Sequence, residues 1–166
     1  MWLAFSLEFF YHINLAFLGI KPRSIEGLLG ILTAPIVHGS LSHLISNSIP
    51  ILFLGALLFF FYESIGRRVF FNCYFLSNVL VWLFSPRQSY HIGASGLVYG
   101  LSSFLIFNGL LRKDFISLAI AVVVVFAYGG IFYGILPNDN RISWESHLAG
   151  FAVGIYTAFS LNKKPR

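Results

Sequence analysis

Apolar residues fall into six long runs separated by short polar breaks. The first extends from Trp2 to Ile20 and is closed by Lys21-Pro22-Arg23. The stretch from Lys21 to about Ala34 is longer than the other breaks and only partly polar. A second run covers about Ser40 to Tyr62 and meets Glu63-Ser64-Ile65-Gly66-Arg67-Arg68. The third goes from about Val69 to Phe84, where Ser85-Pro86-Arg87-Gln88 interrupts it. The fourth opens at Gly93 and reaches about Leu111, before Arg112-Lys113-Asp114. The fifth, Phe115 to Leu136, is rich in Val and Ile and stops at the turn-forming Pro137-Asn138-Asp139-Asn140. The sixth spans about Ser143 to Leu161, ahead of a Lys163-Lys164-Pro165-Arg166 tail. Runs of roughly 20 apolar residues match the length of helix that crosses a bilayer core. No segment alternates with a period of two over about ten residues, which argues against a β-barrel. The pattern predicts an all-α, polytopic membrane protein with six transmembrane helices.

Composition agrees. Of 166 residues, 57% are hydrophobic and only 10% are charged, against about 45–50% and about 25% in soluble domains. That charge cannot coat a water-soluble globule, and 19 Phe, 8 Tyr and 3 Trp exclude a disordered linker. Six spans consume about 120 residues, so residues 1–166 read as one transmembrane domain with no soluble domain. No basic residue precedes the first run and no small-residue cleavage site ends it, which marks a retained span rather than a signal peptide. Cys73, the single cysteine, cannot form an intrachain disulfide. The net charge of +5 has a topological reading. With the N-terminus inside, the inner breaks and tail hold Arg67, Arg68, Arg112, Lys113, Lys163, Lys164 and Arg166, and the outer breaks hold Lys21, Arg23, Arg87 and Arg141. This bias puts both termini in the cytoplasm of a cell (inner) membrane. No nucleic-acid partner is needed to explain it.

Under this topology the second, fourth and sixth spans all begin at the outer surface. Polar residues are costly in a membrane, so those that collect there are informative. The second span brings His38, Ser40, Ser42, His43 and Asn47, the fourth brings Ser95 within Gly93-Ala94-Ser95-Gly96, and the sixth brings Ser146 and His147. The chemistry such a set supports is acyl transfer. Serine needs a base to take its proton, and Ser95 with His147 supplies nucleophile and base. The oxyanion formed on attack needs fixed donors. His43 and Asn47, four apart on one helical face, offer a ring N–H and an amide, and the Ser95 backbone N–H adds a third donor in an unpaired first turn. Gly96 with Gly100, and Gly150 with Gly154, form small-xxx-small patterns that let two membrane helices approach closely. Tyr99, one turn after Ser95, is placed to stack on His147.

These pieces, His38 to Asn47, Gly93-Ala94-Ser95-Gly96 with Tyr99, and His147 with Gly150 and Gly154, resemble the rhomboid family of intramembrane serine proteases. The likeness covers roughly residues 33–157. It implies a six-helix core, a Ser95/His147 dyad, and His43 and Asn47 as oxyanion donors. It further implies cleavage of single-span membrane proteins near the outer end of their transmembrane segment, without a cofactor. Substrate would reach the site near the second and fifth spans, under the outer loop from Pro137 to Ile142, with the site opening to the extracytoplasmic side. Three departures stand out. The family's first outer loop often carries a Trp-Arg pair, and Lys21 to Val37 contains no Trp. Glu63-Ser64-Ile65-Gly66 is one residue shorter than the usual Glu-x-x-x-Gly. Ser146 stands where alanine commonly precedes the histidine.

Other polar residues have plainer readings. His38 tethers the first loop to the second span, and His91 is a loop residue. Glu8 and His12 are four apart and form a structural pair. Glu145, two residues from His147, faces away from it and serves the helix dipole. The expected site is thus a dyad without a carboxylate, its imidazole oriented by packing and Tyr99. No HExxH occurs, and His38 and His43, five apart, share a face poorly, so no metal site is expected. Asp114 and Asp139 sit at loop edges, which argues against a paired-aspartate protease. A transporter would show buried charges along a path or an internal repeat. A catalytically inactive rhomboid-like binder of transmembrane segments would lack Ser95 or His147.

Overall fold

Eight α-helices form where the apolar runs allow, in a computed structural model that describes residues 1–137 and 143–162. They are α1 (Trp2–Tyr11), α2 (Gly30–Thr33), α3 (Leu41–Phe61), α4 (Glu63–Phe84), α5 (Ser95–Arg112), α6 (Phe115–Tyr128), α7 (Ile131–Gly134) and α8 (Trp144–Leu161). Among the described residues there is no strand, only an isolated antiparallel bridge between Ile20 and His91. Arg141, Lys163, Lys164, Arg166, Asp139 and the loop tip from 138 to 142 lie outside the described residues.

The first apolar run departs from expectation. It is α-helical over 10 residues only, a rise of about 15 Å, or half of a bilayer core. His12 turns into the left-handed region at φ 52°, and two side chains then hold the backbone away from the helix. Glu8 Oε1 accepts from the Leu15 N–H at 2.8 Å, and Asn14 Oδ1 accepts from the Ala16 N–H at 2.8 Å. The expected Glu8–His12 pair is not made: the left-handed turn takes His12 off the helical face of Glu8, whose Oε1 serves the backbone. The fifth run is also divided: α6 ends at Tyr128, and Gly129-Gly130 precede the short α7. The third begins early, since Tyr62 alone separates α3 from α4 and Arg67 and Arg68 are already helical.

Of the described helices, only α3 is both long and apolar enough on its own to cross a membrane. The bundle's outer surface is nonetheless strongly apolar. Phe60, Phe115 and Phe126 are 81%, 86% and 94% exposed, and α6 also shows Ile116, Val122 and Val123 to its surroundings. Apolar area of this extent suits lipid rather than water.

At the centre stands α5, with Leu101, Phe104 and Leu105 fully buried against Leu54 and Leu58 of α3, Val69 and Cys73 of α4, and Val153 and Ala158 of α8. Glycines set the spacing. A β-carbon on Gly150 would lie 2.0 Å from the Gly96 carbonyl oxygen, and one on Gly154 would lie 2.2 Å from that of Gly100. The α5 and α8 backbones thus touch, and Gly100 also packs against Cys73 of α4.

The stretch after Ile20 is no loose linker. Three α4 side chains donate to its backbone: Tyr74 Oη to Leu32 O at 2.6 Å, Asn78 Nδ2 to Ile31 O at 2.9 Å, and Trp82 Nε1 to Ser24 O at 2.9 Å. Arg23 returns the contact, its N–H donating to Trp82 O and its guanidinium to Ser85 O at 2.6 Å. The indole absent from the loop is supplied by the helix beneath it.

At the other end of α5, Asp114 caps α6 by accepting from the Ser117 N–H at 2.9 Å and the Ser117 hydroxyl at 2.7 Å. Those hydrogen bonds, with Arg112 nearby, hold its carboxyl down at about 2. A depressed carboxyl stabilises the fold above its ordinary value near 3.8 and loses that contribution as pH falls through about 2. Acid titration of the detergent-solubilised protein should show a loss of thermal stability in this window that Asp114→Ala lacks.

Candidate active site

Three helix N-termini converge on one cavity of about 700 Å³, lined by His43 and Asn47 of α3, Ser95 and Tyr99 of α5, and His147 of α8. Each arrives for a local reason. Ser40 caps α3, its side chain accepting from the His43 N–H at 3.1 Å. Gly93 takes φ +102°, and a β-carbon there would meet the His43 ring at 2.5 Å. Glycine is thus required twice, for backbone and for space. The turn delivers Ser95 as the first residue of α5, where the first helical bond runs from Val98 N–H to Ala94 O. The Ser95 N–H therefore belongs to the unpaired first turn.

His147 is 8% exposed. The Tyr99 ring stacks on it with centroids 4.0 Å apart and planes 10° from parallel. Its Nδ1 lies 2.9 Å from the Gly134 carbonyl oxygen. A carbonyl can only accept, so Nδ1 carries a proton, and in the neutral ring Nε2 then keeps its lone pair. That is the tautomer a general base requires. No hydrogen bond joins Ser95 to His147 among the described residues, although both side chains face the cavity. Asn47 is 3% exposed and donates one amide hydrogen to His43 O at 2.8 Å, which leaves the second for another acceptor.

His38 stands apart from the cavity lining. It is 1% exposed, with Nδ1 3.3 Å from Ile36 O and its ring edge-on to His43 at 4.9 Å. Burial, with His43 close by, pushes its pKa down to about 4, so it is neutral at pH 7 and buttresses the His43 ring.

Two residues depart from their plain readings. Glu145 is buried, and its partner is Arg87: Arg87 Nε donates to Oε1 at 2.6 Å, and Nη2 donates to Oε2. A buried carboxylate with a bidentate guanidinium partner needs no helix dipole to explain it. His91, expected as an ordinary loop residue, is buried and links two segments. Its Nε2 lies 3.0 Å from Ser85 Oγ and its Nδ1 2.6 Å from Ser143 Oγ, which in turn meets Ser146 Oγ at 2.8 Å. Burial lowers its pKa. Together these contacts fasten the loop before Ser95 to the start of α8. Gly134 escaped sequence reasoning because its contribution is a backbone carbonyl. The only trace was glycine at 129, 130 and 134 inside a Val/Ile-rich run.

Residues 26–164 match the family model of the Rhomboid domain. The chain belongs to the rhomboid family. Rhomboid membership makes it an integral membrane protein. Among relatives, an uncharacterized protein of Mycobacterium tuberculosis is 35% identical over 158 residues, which cover 89% of this chain and 65% of that protein. A Mycobacterium leprae protein, also uncharacterized, is 34% identical over 89% of this chain and 62% of its own length. The chain thus spans under two thirds of the length of these two relatives. A Bacillus subtilis protein named "Putative rhomboid protease YdcA" is 27% identical over 82% of this chain and 69% of its own. No solved structure matches.

Proposed function

We propose that this rhomboid is an intramembrane serine endopeptidase that cleaves single-span membrane proteins near the outer end of their transmembrane segment. The observation that carries the reading is the shared cavity. It brings Ser95 together with a histidine whose neutral ring, donating from Nδ1, leaves Nε2 to accept a proton, with the His43 ring, the Asn47 amide and the Ser95 N–H beside it. In the first half-reaction Ser95 Oγ attacks the scissile carbonyl carbon and passes its proton to His147 Nε2. The negative oxygen is met by Asn47, His43 and the Ser95 N–H. Collapse breaks the C–N bond, the amine leaves with the proton from His147, and an acyl-serine remains. Water, deprotonated by His147, then releases the acid and restores Ser95.

In this reading the chain crosses the membrane six times with both termini cytoplasmic, and the cavity opens to the extracytoplasmic side. Substrate approaches past α3 and α6. The chemistry requires no cofactor or metal.

Labelling with a fluorophosphonate tests the reading without a known substrate. Ser95 Oγ should displace fluoride from phosphorus in the wild-type protein, and His147→Ala should block it. A folded wild-type protein that stays unlabelled would point to an inactive relative that binds transmembrane segments. Loss of an oxyanion donor in Asn47→Ala should lower kcat by about 10–1,000-fold on a single-span substrate. An unchanged kcat would assign Asn47 to the helix interior alone.

A further inference from the structure

A base in a serine hydrolase needs its ring held in one tautomer, and a carboxylate commonly does this by accepting from the far ring nitrogen. Among the described residues no carboxylate hydrogen-bonds His147. Glu145, on the same helix, is engaged by Arg87. The acceptor that does meet His147 Nδ1 is the Gly134 carbonyl at 2.9 Å. We propose that Gly134, through its backbone carbonyl, is the positioning residue that fixes the tautomer of His147; the proposal rests on the protease reading above.

Two further observations make this contact more than a chance approach. Gly134 packs against both members of the stack: a β-carbon there would fall 1.8 Å from Tyr99 Oη, 2.9 Å from Tyr99 Cζ and 3.3 Å from His147 Nδ1. The carbonyl reaches the ring because residue 134 has no side chain to hold it off. The chain also breaks the α6 helix at Gly129-Gly130 and re-forms a turn in α7, whose last residue is Gly134. Stacking by Tyr99 sets the plane of the imidazole, and the carbonyl sets which nitrogen bears hydrogen. Neither interaction substitutes for the other.

The test uses the full chain in detergent with ¹⁵N-labelled histidine, and assigns the His147 signals by difference from His147→Gln. The wild-type ring should carry its proton on Nδ1. In Gly134→Ala that signal should give way to a tautomer mixture, and fluorophosphonate labelling should slow at least 10-fold. Adding Tyr99→Phe removes the hydroxyl that the new methyl meets first, so the double variant should label faster than Gly134→Ala alone. A proton on Nε2 in the wild type overturns the proposal, and that outcome does not depend on Gly134→Ala folding. Unchanged tautomer and labelling in Gly134→Ala would do the same. A wild type that fails to label, with Nδ1 protonated, sinks the protease reading and leaves the tautomer assignment standing.

Discussion

Ser95→Ala is expected to end cleavage of a single-span substrate, with kcat falling by up to about 10⁶-fold, the scale set by removing a serine nucleophile from a soluble hydrolase. The fold should survive. Ser95 Oγ has no hydrogen-bond partner among the described residues, so its removal strands no buried group. Ser95 is also not the N-cap of α5; that position is Ala94. Helical circular dichroism and the melting temperature in detergent should therefore match wild type while product disappears from the gel. Residual cleavage at even one hundredth of the wild-type rate would mean that another nucleophile operates.

Gly150→Ala should be nearly as damaging by a different route. The added carbon would meet Gly96 O at 2.0 Å and Gly96 C at 2.8 Å, both backbone atoms. No side-chain rotation relieves that contact, so α8 must back away from α5 by about an ångström. His147 and Ser95 ride on these two helices, each within one turn of the contact. A displacement of this size in a reacting pair costs about 100-fold in rate, and overpacking adds about 1–3 kcal/mol of destabilisation. Gly55→Ala is the control, since nothing lies within 4 Å of a β-carbon there. Equal kinetics for the two variants would show that the glycine contact does not govern the site.

How much of this was legible beforehand depends on what kind of group acts. Side chains at fixed helical spacing were legible. His43 and Asn47 lie on one face, Tyr99 one turn beyond Ser95, and paired glycines mark the crossing of α5 and α8, because spacing translates directly into direction on a helix. Backbone groups were not. The Gly134 carbonyl is common to every residue type, so no letter at position 134 announces it. Long-range pairings were also hidden. Arg87 and Glu145 are 58 residues apart, and nothing in either neighbourhood says that one will neutralise the other. Local competition explains the shortened α1, since Glu8 and Asn14 offer the main chain alternatives to helix. A hydropathy pattern counts such residues as small defects, whereas the backbone treats them as terminators.

The attachment of residues 21–36 to α4 bears on which parts of this protein can drift in sequence. Tyr74, Asn78 and Trp82 grip the loop by the main-chain oxygens of Leu32, Ile31 and Ser24, and an oxygen of that kind survives almost any substitution. Ile25, 88% exposed, and Leu29, 51% exposed, are spectators to the grip. The loop's course is written in the helix below it, which leaves its outward side chains free to be rewritten for whatever lies above.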